Sequence, residues 1–238
     1  MNCHRLTQQI WIWALDRNIH ISAEHLPGSE NVLADAASRK IDVNKEWSLN
    51  NNVYTKVVEQ FGPFSIDLFA SRLNAKETLF VSWKPDPSAL FIDAFSRNWT
   101  QFNQFYAFPP FSLVLKCLHK IKKEESRGVL VIPVWPTQPW FPIAMNLLVA
   151  KPLLLPKNVL HLPYHPNLAH PLSNNLYLLA CPLSGVFSEA ETFQRSLSRS
   201  YASPGDHQQL GNMRFILKSG IISVRSGTKI PFNMMKSW

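Results

Sequence analysis

The stretch FNQFYAFPPF, residues 102–111, is a run of aromatic and apolar residues that stops at two prolines. Aromatic side chains suit a half-buried pleated surface, and a proline has no N–H for a strand ladder. A strand ending at Pro109-Pro110 is therefore predicted. Working outward, FSIDLFA (64–70) and ETLFVSW (77–83) read as earlier strands, and Tyr54–Gln60 as a short helix before them. Ser112–Lys123 is an amphipathic helix, with Leu115, Leu118 and His119 among the positions that could share a face. GVLVIPVW (128–135) is an almost wholly apolar strand, Trp140–Val149 a helix begun after TQP, and KPLLLP (151–156) and NLYLLACPL (175–183) late strands. Strands alternating with helices predict an α/β fold, Rossmann-like, with a largely parallel sheet.

The 238 residues suffice for one good-sized core, and 18 prolines against 8 glycines predict many short elements. The net charge of +8 is unevenly spread. Residues 1–60 carry 6 Lys/Arg against 7 Asp/Glu, residues 61–185 carry 11 against 6, and residues 186–238 carry 7 against 3. The excess in the middle and the tail points toward polyanionic partners, DNA or RNA. Cys3, Cys117 and Cys181 are far apart and show no ligand spacing, so they read as buried thiols in a reducing compartment. No apolar run approaches the ~18 residues of a membrane span. The expectation is an intracellular protein, nuclear or cytoplasmic, with no membrane partner.

The N-terminal part carries a different pattern. Leu6, Ile10, Trp13 and Ala14 fall at helical spacing, so residues 4–17 read as a helix ended by Asn18; IHISAEHL (19–26) reads as a strand. After the turn PGS, Ser29 caps a helix over Glu30–Arg39. His25, Gly28, Asn31, Ala34, Asp35, Ser38 and Arg39 together resemble the last motif of the ribonuclease H domains fused to retrotransposon reverse transcriptases. The resemblance implies that Asp35 supplies one carboxylate of a two-Mg²⁺ site and that His25 assists proton transfer or product release. Only Asp16 and Glu24 precede His25 as further carboxylates. One carboxylate is a poor cage for two Mg²⁺ ions, so no RNA cleavage is expected of this chain.

The central part resembles the phage-type Dam N6-adenine methyltransferases. Asp67, Asn74-Ala75-Lys76, Asp93-Ala94, Trp99 and Pro109-Pro110-Phe111 carry the likeness. It implies a methyltransferase-like fold, S-adenosylmethionine as cofactor with Asp67 toward it, and an aromatic stacking on a flipped adenine. In that family the residue before Pro-Pro is an Asn or Asp that accepts a hydrogen bond from the adenine amine. Here it is Phe108, which has no acceptor. The segment Phe108, Pro109, Pro110, Phe111 thus keeps the turn and the stacking face of the catalytic motif and loses its polar group. Trp83, Trp99, Phe108, Phe111, Trp135 and Trp140, with Lys84, Arg97 and Lys116 among them, also compose a workable surface for single-stranded nucleic acid.

The order of parts resembles the polyprotein of DIRS-type retrotransposons. The expected organisation is a ribonuclease H remnant at 1–40, a linker at 41–53, a methyltransferase-like α/β domain at 54–185 and a flexible basic tail at 186–238. The expected function is that of a catalytically incomplete fragment with a nucleic-acid-associated role, the remainder of the polyprotein being a further partner. An active adenine methyltransferase and a non-enzymatic nucleic-acid binding module are the alternatives. No cofactor is expected for the chain itself; Mg²⁺ and S-adenosylmethionine enter by resemblance only.

Overall fold

The computed structural model describes residues 3–22, 46–165, 167–197, 221–223 and 229–235. The chain divides into two compact units, residues 1–40 and 41–238.

In the first unit, helix α1 spans Cys3–Leu15, matching the helix read over 4–17. It stops where Asn18 takes a left-handed φ of 54°. The Asn18 N–H bonds to Leu15 C=O at 3.1 Å and the Ile19 N–H to Ala14 C=O at 2.9 Å. This paired closure satisfies carbonyls that a helix end leaves open. Residues 19–22 form no strand, contrary to the reading of 19–26. His25 and Asp35 lie outside the described residues.

The second unit is built on a six-stranded sheet. Its strands are β2 (Ile66–Asp67), β5 (Phe105–Ala107), β6 (Arg127–Pro133), β7 (Leu153–Leu154), β9 (Leu178–Ser184) and β12 (Asn233–Met234), in the order β12-β7-β9-β6-β5-β2. β2, β5 and β6 run parallel, as do β12 and β7; β9 is antiparallel to β6 and β7. The sheet is thus largely parallel, as expected. A short parallel pair, β3 (Val81–Ser82) with β4 (Phe91–Ile92), continues it beyond β2 through an Asp67–Phe80 bridge.

The alternation of side chains along the strands sets the two faces. Phe105, Ala107, Leu130, Ile132, Leu179 and Cys181 face one core layer, closed by helix α3 (Val114–Glu124) and helix α4 (Phe141–Asn146). Tyr106, Val129, Val131, Leu178 and Ala180 face the other, closed by helix α2 (Asn51–Phe61). Gly128 stands opposite Phe105 in the β5–β6 register. A Cβ there would lie 2.4 Å from the Phe105 carbonyl oxygen and 2.5 Å from its ring, so only glycine admits this approach. In α3 the buried face is Val114, Cys117, Leu118 and Ile121, one turn-spaced stripe. Leu118 was expected there, whereas Leu115 is half-buried and His119 exposed. Burial pushes the Cys117 thiol up to about 12 and the Cys181 thiol up as well, so both are inert core residues.

The boundaries read from the sequence need two corrections. Residues 46–53, expected in a linker, form β1 (Ser48–Leu49), which pairs with β8 (Leu160–His161), and the start of α2. Trp47, Leu49 and Val53 are the apolar residues of an otherwise polar run, and Leu49 is fully buried. The segment 186–238, expected as a flexible tail, includes helix α5 (Phe187–Ser196) and an antiparallel pair, β10 (Ile221–Ser223) with β11 (Lys229–Pro231). It also supplies β12, at the sheet edge. Ile230 and Phe232 enter the core, each contributing about 1.5–3 kcal/mol of apolar burial. These two residues are apolar anchors in a segment whose composition is polar overall.

Candidate functional site

The parallel block brings the carboxyl ends of β2, β3, β4 and β5 to one edge, and a cleft of about 700 Å³ opens there. Ligands of open α/β sheets bind at such an edge, and the volume is that of a small-molecule or cofactor site. Leu68, Phe69 and Ala70 follow β2 into it; Trp83 follows β3; Asp93, Ala94 and Phe95 follow β4; Phe108 to Phe111 follow β5. Lys116 enters from α3, and Glu46, Trp47, Asn74, Leu160 and His170 complete the wall. Most of the lining is apolar, with few polar groups set into it.

The turn after β5 is held by aromatic packing. The Phe108 and Phe111 rings lie 6.3 Å apart, and Phe111 meets Trp135 edge-on at 5.1 Å. The four residues Phe108, Pro109, Pro110 and Phe111 therefore form one wall of the cleft, and the side chain at position 108 presents only carbon. On the opposite side Glu46 is buried, and one of its oxygens accepts from the Ser71 hydroxyl at 2.8 Å. Asn74 accepts from the Ser71 N–H at 2.8 Å. Asp93 sits at φ 61° and accepts from the Phe95 N–H at 2.9 Å, which caps the short 3-10 turn Ala94–Ser96. A non-glycine residue held at positive φ costs on the order of 1–3 kcal/mol and persists where its surroundings impose it. Here it turns an exposed carboxylate onto the cleft lip.

Asp67 does a different job from the one implied for it. It is 2% exposed, and its carboxylate does not line the cleft. One oxygen accepts from the Phe69 N–H at 3.2 Å and the other from the Lys76 N–H at 3.1 Å. Asp67 thus ties down the loop that carries Asn74. Burial pushes its carboxyl from the ordinary 3.8 up to about 7, against the opposing pull of those two N–H groups. The folded state then holds a proton that the unfolded chain releases. Its contribution to stability is complete below about pH 4 and is lost as the pH rises through about 7. The expected result is a urea midpoint that declines across this window in the wild type and declines less in Asp67→Asn; parallel curves would refute the assignment.

Of the aromatic residues read as a nucleic-acid surface, Trp99 and Trp140 belong to the core, fully buried and 6% exposed. Large apolar burial outweighs the exposed use of a tryptophan at those positions. Trp83 is 64% exposed at the cleft mouth. Glu46, Trp47, Leu160 and His170 are among the lining residues that the sequence reading missed. Three of them belong to the β1–β8 neighbourhood, and a pairing of residues 48–49 with 160–161 leaves no local pattern. The Trp47 and His170 rings meet edge-on at 4.7 Å, which joins that neighbourhood to the cleft wall. Among the described residues, no group of three or more His, Cys, Asp or Glu could hold a metal ion, and no helix is long and apolar enough to cross a membrane.

A three-layer α/β unit with a mostly apolar cleft at the carboxyl edge of its parallel strands is compatible with a methyltransferase-like fold. Residues 37–150 match the model of the DNA N-6-adenine-methyltransferase (Dam) family. The match includes residues 46–53, in keeping with their place in the second unit. No curated protein matches the chain.

Proposed function

We propose that the second unit is a methyltransferase-like module that engages nucleic acid through its cleft and does not transfer a methyl group. Phe108 carries this reading. It stands in the cleft wall before Pro109-Pro110, where an acceptor for the target amine is required, and offers none. The family match supports DNA as the partner, and the excess of cations over residues 61–238 supports binding to phosphate.

The family also implies S-adenosylmethionine, and the cleft has chemistry that fits it. The carboxylates of Glu46 and Asp93 suit its cationic and hydroxyl groups, and the faces of Phe95 and Phe111 suit its adenine. When bound, it supplies an activated methyl group; the missing part is the residue that polarises the acceptor.

The finer reading, a retroelement fragment with a ribonuclease H ending and an Mg²⁺ ligand at Asp35, rests on the motif from His25 to Arg39 and on its place before the methyltransferase-like part.

The test of the nucleic-acid role is fluorescence anisotropy of the full chain with a labelled oligonucleotide. Affinity should fall about tenfold or more between roughly 50 and 200 mM salt, because released counterions drive phosphate binding. An absence of binding at the lower salt would overturn the proposal.

A further inference from the structure

We propose that the cleft distinguishes S-adenosylmethionine from its demethylated product, S-adenosylhomocysteine, and that Phe108 sets this specificity by favouring the sulfonium cation over the neutral thioether. The inference rests on the methyltransferase-like, non-transferring reading above. It gives Phe108 a binding role where the acceptor has been lost.

The position of Phe108 comes first. A group that polarises an amine for methylation works beside the sulfur that gives up the methyl, because reacting atoms must approach within about 3–3.5 Å. Phe108 stands where the family resemblance has that group. It is half-buried in the cleft wall after β5, its ring 6.3 Å from that of Phe111. The face of a phenyl ring is the negative side of its quadrupole and attracts a cation. A neutral thioether gains only dispersion there. One replacement thus removes the help given to the amine and adds a contact that holds the charged donor.

The rest of the lining favours the same ligand. Trp47, Phe69, Trp83, Phe95 and Phe111 also line the cleft. Two of these rings already seat a lysine: Lys84 lies 4.5 Å from the Trp83 ring centre and Lys116 3.8 Å from that of Phe95. Among the described residues no cation lies over the Phe108 ring, so none of them competes with a ligand for it. The charged lining residues are Glu46, Asp93 and Lys116, two carboxylates against one ammonium. His170 adds no positive charge at neutral pH. The Leu172 N–H donates to its Nδ1 at 3.1 Å, and burial holds its imidazole below the ordinary value. An excess of carboxylate in a mostly apolar wall favours a cation over its uncharged counterpart.

Isothermal titration calorimetry of the full chain with each of the two compounds tests the inference. S-adenosylmethionine should bind about tenfold tighter than S-adenosylhomocysteine, the scale of a desolvated cation–ring contact. Phe108→Leu should remove most of that preference by weakening S-adenosylmethionine alone. Its unchanged affinity for S-adenosylhomocysteine then also shows that the variant is folded. Phe108→Tyr keeps the ring and should keep the preference. A wild type that binds the product as tightly as the donor would overturn the inference. So would a Phe108→Leu variant with the wild-type ratio, whether both ligands still bind or both weaken equally. A wild type that binds neither compound would overturn it too, while oligonucleotide anisotropy still decides the nucleic-acid role. Loss of oligonucleotide binding with the ligand preference intact would do the reverse.

Discussion

Wild-type protein incubated with labelled S-adenosylmethionine and adenine-containing DNA is expected to leave methyl incorporation at background. Transfer to an exocyclic amine needs a polar acceptor that withdraws the proton's charge as the nitrogen attacks. Removing one such preorganised group commonly costs about 10²–10³ in rate. Phe108 lines the cleft in front of Pro109-Pro110, packed toward Phe111, and its ring lacks the acceptor. Phe108→Asn returns an acceptor to that wall, and Phe108→Leu removes the ring without returning one. Incorporation that rises with Asn and not with Leu ties the loss to the missing polar atom. Robust N6-methyladenine formation by the wild type would overturn the assignment and make the chain an active methyltransferase.

Trp99→Ala should cost the second unit about 3–5 kcal/mol, the range for emptying a large buried aromatic site. Trp99 is fully buried. Its indole N–H donates to the Ala94 carbonyl at 2.8 Å, and its backbone N–H to the Glu124 carboxylate at 2.9 Å. Its ring lies 5.0 Å from that of Phe105 and 6.3 Å from that of Phe69. The residue therefore joins β5, the loop after β2, the turn after β4 and the end of α3 in one contact set. For a domain of this size the loss corresponds to roughly 10 °C in melting temperature, read by calorimetry. A shift equivalent to less than about 1 kcal/mol would show that these elements hold together without it.

The particular elements explain what the sequence could carry. FYAFPPF, GVLVIPVW and the helix after Phe111 were legible because each is a continuous local pattern: apolar strand, proline stop, turn-spaced stripe. Most of the cleft wall followed from them, since a turn after β5 must lie at the carboxyl edge. The fate of Asp67 was not legible. A carboxylate at a strand end can face a ligand or tie its own loop, and only the positions of the Phe69 and Lys76 N–H groups decide between them. Trp99 and Trp83 look alike in sequence, and tertiary burial alone separates the core residue from the exposed one. The same holds for β1 and β12, each two residues long and given its register by a partner far along the chain.

That last feature bears on how the molecule is made. β12 pairs Asn233 and Met234 with Leu153 and Leu154, so one border of the sheet waits for a segment synthesised long after the rest. Contacts this distant along the chain are slow to form. During translation β7 presents a bare backbone edge, the kind of surface on which chains join one another wrongly. β12 is the last strand of this sheet to be synthesised, so the β7 border cannot be closed before residues 233 and 234 exist.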